Sequence, residues 1–109
     1  MDAREERIAR NEVLFREVNE RITELADPPR EARIEIFCEC GLDDCTERIE
    51  VGVRDYEMVR AEPTRFVLRE GHEISDVEDV VISPDGYLVV EKLGRLAEMA
   101  RETDPRSDQ

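Results

Sequence analysis

Three cysteines fall within the eight residues Cys38-Glu39-Cys40-Gly41-Leu42-Asp43-Asp44-Cys45, and the chain has no others. Thiolates spaced this closely can converge on one cation, because a tetrahedral metal holds its sulfur ligands at about 2.3 Å. Gly41 permits the tight turn that folds the third sulfur back onto the first two. A fourth ligand is then needed. The only histidine, His72, lies in a Gly71-His72 turn between apolar runs and can supply an imidazole nitrogen, with Glu39, Asp43, Asp44 or a water as alternatives. Soft sulfur with imidazole selects Zn²⁺ over Mg²⁺ or Ca²⁺. The expected site is therefore a Cys3His zinc centre of Cys38, Cys40, Cys45 and His72, structural if all four bind and open to a reactive water if His72 does not.

Other cysteine chemistry fits less well. An odd cysteine count without an export signal argues against a disulfide framework. The C-x-C-x4-C spacing matches none of the common iron–sulfur runs, and three unligated thiols would leave the clustering unexplained. The H-x-E and P-C-x-x-C elements of nucleobase deaminases are absent, as are a Ser/His/Asp set, a Walker loop, G-x-G-x-x-G and a calcium loop. Adjacent carboxylates at Glu5-Glu6, Asp43-Asp44 and Asp76 to Asp79 have little specificity in a chain with 29 acidic residues. No catalytic residue is assigned.

The elements that must position this cluster are legible as periodicities. Ile8, Phe15, Val18, Ile22 and Leu25, widened by Leu14, recur at helical spacing and predict one long helix over residues 1–26 with a charged opposite face. Glu6/Arg10, Glu12/Arg16 and Glu17/Arg21 are acid-before-base pairs four apart on an exposed surface, each worth about 0.2–0.5 kcal/mol. Asp27-Pro28-Pro29 ends the helix and pushes Asp27 toward extended geometry. Alternation at Arg33–Phe37 and again through Ile49, Val51 and Val53 predicts a hairpin around the cysteine loop. Asp55 is placed to cap a short helix that turns Tyr56 and Val59 inward, and Arg65–Leu68 reads as a third strand. Val80-Val81-Ile82 and Tyr87–Val90 flank Pro84 and Gly86 as a second hairpin, the most apolar in the chain. A last helix covers about residues 95–101, followed by a frayed tail over 103–109.

The whole reads as a single α+β domain over residues 1–109: a long N-terminal helix packed on a small, mainly antiparallel sheet, with residues 33–92 tied by zinc. The 109 residues are 39% apolar, 41% charged and carry a net charge of −13, which repels nucleic-acid phosphates and anionic membranes. No run of 18 apolar residues and no leader is visible, so a cytoplasmic protein is expected. Asn11 interrupts the stripe of the long helix, and a polar residue in such a seam can fix helix register. A helix of this length spans about 36 Å and is expected to overhang a small sheet. Ile8, Asn11, Phe15, Val18 and Ile22 are therefore the expected contact with a protein partner or a second copy, unless this face covers the protein's own sheet with Asn11 at its margin.

The segments ARNEVLFREVNERI, FCECGLDDCTERIEV, DYEMVRAEPTRFVLREGHE and DGYLVVEK resemble those of a group of small bacterial proteins, most of them actinobacterial, over about residues 9–92. The resemblance implies metal-ligand positions at the C-E-C-G, D-C and G-H-E elements, which fall on Cys38, Cys40, Cys45 and His72, and it implies no particular reaction. The expected role is a non-catalytic interaction or regulatory protein stabilised by structural Zn²⁺. The alternatives are a thiol-based redox or zinc-responsive switch and, further off, a zinc hydrolase.

Overall fold

The alternating run Arg33–Phe37 forms strand β1, which pairs antiparallel with β2 (Arg48–Gly52), so that Ile34 faces Val51 and Ile36 faces Ile49. Their side chains point to one buried face while Arg33, Glu35, Arg48 and Glu50 stay in water. The computed structural model describes residues 3–42, 44–84 and 86–106. Helix α1 (Ala3–Ala26) precedes the hairpin, and α2 (Val53–Arg60), β3 (Arg65–Leu68), β4 (Glu78–Ile82), β5 (Leu88–Lys92) and α3 (Gly94–Glu102) follow. The architecture is α+β, with the strands divided between two small antiparallel sheets, β1-β2 and β3-β5-β4.

The two sheets meet along β3. The Glu39 N–H donates to Val67 O at 2.8 Å, and the Val67 N–H donates to Glu39 Oε1 at 3.0 Å, so Glu39 covers the β3 edge that β5 leaves free. A shared core of Ile36, Ile49, Val51, Tyr56, Phe66, Val67 and Val90 lies between the sheets and α2. A smaller cluster of Ile8, Ala9, Val77 and Leu96 fastens the start of α1 to α3.

Several local expectations are corrected. Asp27 is not extended but adopts φ 44, where its N–H reaches Thr23 O at 2.9 Å and closes the last helical turn. Val53 opens α2 instead of prolonging β2, and the N-cap is Gly52, with Asp55 inside the first turn where its charge suits the helix dipole. β4 is an edge strand whose last four residues are exposed, despite being apolar at Val80, Val81 and Ile82. The start of the tail is docked: Arg106 bonds Glu20 at 2.8 Å and Glu57 at 3.0 Å, and Thr103 accepts from Arg16. The rest of it, residues 107–109, lies outside the described residues.

The largest correction concerns α1. Its buried line is Ile8, Ala9, Glu12, Arg16, Asn19 and Glu20, mostly the polar residues expected to face water. Each finds a specific partner. Glu12 and Glu78 both bond Lys92. Arg16 donates to Pro63 O at 2.7 Å and Ala100 O at 2.9 Å, with its guanidinium over the Phe66 ring. Glu20 accepts from Tyr56 and Arg106. Of the apolar stripe, Ile8 is buried and Phe15, Val18 and Ile22 are half-buried, while Leu25 at the C-terminal end is exposed.

Candidate metal centre

Past the end of β1 the chain continues extended. The Cys38 N–H donates to Glu47 O at 2.9 Å, prolonging the hairpin, and the Glu39 N–H turns to β3. In an extended segment alternate side chains project to opposite sides, so Cys38 and Cys40 share one side and Glu39 takes the other. The loop then reverses, and Asp44 at φ 65 leads Cys45 back. His72 arrives from the β3–β4 connection, where Gly71 at φ 87 makes the turn and the His72 N–H closes it on Arg69 O at 3.1 Å.

These four side chains converge. Their ligand atoms all lie within 4.8 Å of one another, and the group could hold a metal ion. His72 Nδ1 is 3.6 Å from Cys38 Sγ and 3.5 Å from Cys45 Sγ, against about 3.5 Å for the sulfur–nitrogen edge of a tetrahedron with ordinary zinc bond lengths. The Arg69 N–H donates to Cys38 Sγ at 3.2 Å. All three cysteines are unbridged, with Cys38 and Cys40 buried and Cys45 half-buried. His72 is also half-buried, so the centre opens to the surface on the Cys45 and His72 side. A hydrogen bond with Cys38, then burial, pushes the Cys40 thiol well up, and burial raises Cys45. Crowded thiols resist ionising together, and a bound cation removes that resistance by replacing their protons.

The alternative fourth ligands fare differently. The Glu39 carboxylate is fully buried on the far side, accepting from Arg60 at 3.2 Å, Asn19 at 2.8 Å and the Val67 N–H. Asp44 is exposed, and Asp43 lies outside the described residues.

The residues expected to meet a partner pack largely on the cysteine loop and the core. Ile8 lies so close to Gly41 that a Cβ there would stand 2.4 Å from Ile8 Cγ2. Asn11 Nδ2 donates to Gly41 O at 3.4 Å. The Phe15 ring is 5.9 Å from that of Phe37, Ile22 packs on the main core, and Val18 is half-buried. The side of α1 turned to solvent keeps only Leu14 and Leu25 as exposed large apolar residues. Asn19 had drawn no attention in the sequence, yet it bonds the Phe37 N–H and carbonyl, each at 2.8 Å, and Glu39, just before and between the ligand cysteines. Its signal was its place in a second helical line through Glu12, Arg16 and Asn19.

Neither a family model nor a curated protein nor a solved structure matches this chain. The geometry alone carries the functional reading.

Proposed function

We propose that the chain is a non-catalytic interaction or regulatory protein in which structural Zn²⁺, held by Cys38, Cys40, Cys45 and His72, ties the β1–β2 loop to the β3–β4 connection. The observation that carries this reading is the convergence of three thiols and one imidazole, with ligand atoms within 4.8 Å, from segments 27 to 34 residues apart for the histidine contacts. Four protein ligands complete a tetrahedral shell and leave no position for a reactive water. Metal binding of this kind contributes directly to folding, on the order of 10 kcal/mol in small zinc peptides.

A reducing, cytoplasmic setting suits the unbridged thiols. Among the described residues no helix is long and apolar enough to cross a membrane. The net charge of −13 favours a protein partner over nucleic acid.

Elemental analysis of protein purified without chelator tests the reading. One zinc per chain is expected, with Cys38→Ser, Cys40→Ser and Cys45→Ser each losing stoichiometric metal and His72→Ala losing zinc to a competing chelator more readily. Metal-free wild type, or full retention in the His72 variant, contradicts it.

The half-buried position of Cys45 favours a second reading, a thiol-based switch. There, hydrogen peroxide takes two electrons from Cys45 and a neighbouring thiolate, a disulfide forms, the peroxide is reduced to water, and zinc leaves. Zinc retained at peroxide levels that oxidise ordinary exposed thiols reduces the centre to a static tie.

A further inference from the structure

Among the described residues β4 ends its sheet with one edge unpaired, since the order is β3-β5-β4. An unpaired edge presents backbone N–H and C=O groups to any extended chain, and natural edges are usually blunted with charge or covered. This one is apolar: Val80, Val81 and Ile82 are 44%, 39% and 45% exposed. A bulge between Val80 and Ile82 sets the register, with Asp79 opposite Glu91 and Ile82 opposite Val89. Glu91 and Val89 are two apart and share a face, so Asp79 and Ile82 share it too. On that face Ile82, Val89, Tyr87, Val59 and the 69%-exposed Met58 line a groove of about 210 Å³ between β4–β5 and α2.

The charges along this face are unbalanced at its rim. Arg65 on β3 bonds Glu91 on β5 at 3.4 Å, and the next position outward in the row is Asp79, acid beside acid. Among the described residues Asp79 has no ion pair or side-chain hydrogen bond. Asp55, which also lines the groove, has no ion pair either.

We infer that the β4 edge and its groove form a docking surface for an extended segment of a partner protein, which adds as a strand and carries a basic residue against Asp79 and an apolar residue, on the same face, against Ile82. The incoming cation continues the row Arg65, Glu91, Asp79 with the missing positive charge, and opposite charges across neighbouring strands attract where like charges repel. The incoming apolar side chain covers Ile82 and the mouth of the groove. Strand addition takes its affinity from main-chain hydrogen bonds and its selectivity from alternate side chains, as this edge offers. A second copy of the chain is the poorer occupant, because it brings another −13 of charge and a second Asp79 to the same rim. None of the groove or strand residues is a ligand of the cysteine cluster, so zinc content, measured alongside, keeps this inference separate from the metal reading.

Fluorescein-labelled Lys-Thr-Val-Thr-Val and its reversed sequence, titrated into the zinc-replete full chain by anisotropy, test it against the matching peptides with Glu in place of Lys. The Lys peptide in one orientation should bind, and hydrogen exchange should slow at the amides of β4. Asp79→Lys should weaken that binding about fivefold and shift preference to the Glu peptide, while Glu17→Lys, the same charge change on exposed α1, leaves the preference unaltered. Equal weakening by both variants would reduce the effect to bulk charge and overturn the inference. So would absence of binding and of β4 protection at millimolar peptide. Concentration-dependent dimerisation of the chain that Ile82→Arg abolishes would overturn it in favour of a second copy.

Discussion

Glu39 holds the one position in the Cys38-Glu39-Cys40 run whose side chain turns away from the cysteine and histidine cluster and enters the core. Its carboxylate joins Asn19 of α1, Arg60 of α2 and the Val67 N–H of β3, so the backbone that presents two thiols is held from behind by three elements. Glu39→Ala would leave the buried Arg60 guanidinium without its counter-charge, a change worth about 3–5 kcal/mol. A large fall in melting temperature is expected, with weaker zinc retention against a chelator. A neutral result would mean that Arg60 finds another partner. Glu12 presents the second residue-scale test. Burial pushes its carboxyl up to about 8, an effect that Lys92 opposes and Glu78 reinforces. The unfolded chain releases this proton near the ordinary value of 4.5, so between those values the folded state holds more protons. Glu12 therefore contributes stability that is present at low pH and declines as pH rises toward 8, by at most about 1.4 kcal/mol per pH unit. Urea titrations at several pH values should show that decline in wild type and a flatter profile in Glu12→Gln. Parallel profiles would place the titration elsewhere. The cysteine spacing was readable because ligand chemistry demands proximity. Glu39 and Glu12 were not, since nothing local separates a buried carboxylate from 29 acids that are mostly solvated.

At the scale of elements, hydrophobic periodicity located α1, both hairpins, α2 and α3 to within a few residues, because helices and half-buried strands repeat at their own periods. It misjudged which side of α1 faces inward. The apolar line through Phe15, Val18 and Ile22 is only half-buried, while Glu12, Arg16, Asn19 and Glu20 are covered by β5, α3, β1 and the docked tail. Polar residues reverse the usual rule when buried groups find partners; here all four side chains do, with only the buried Arg16 Nε left unbonded among them, and the partners are distant in sequence. The apolar strand β4 misled in the opposite sense, being at an edge. Helix α1 also buttresses the cysteine loop, through Ile8 and Asn11 on Gly41. Gly41→Ala tests that contact. The added methyl would meet Ile8 Cγ2 at 2.4 Å and the Ile8 Cα at 3.1 Å, so helix and loop must separate. Overpacking of this kind costs about 1–3 kcal/mol, and because Cys40 is the preceding residue, zinc should be lost to a chelator more readily. Wild-type stability together with wild-type zinc retention would show that the loop does not depend on the helix.

Seen as a whole, the molecule closes around two kinds of tie. Buried hydrogen bonds from Lys92 to Glu12 and Glu78 fasten α1 to the β3-β5-β4 sheet, and the buried Arg60–Glu39 pair fastens α2 to the segment after β1. The cysteine and histidine cluster fastens the β1–β2 loop to the β3–β4 connection. Small domains have limited apolar surface to bury, and a metal supplements such a core. In the proposed site, three sulfurs and one imidazole surround Zn²⁺. X-ray absorption at the zinc edge, on protein purified without chelator, addresses it directly: three sulfur scatterers at about 2.3 Å and one nitrogen at about 2.0 Å are expected. A zinc shell of oxygen and nitrogen alone, or protein that carries no zinc, would contradict it.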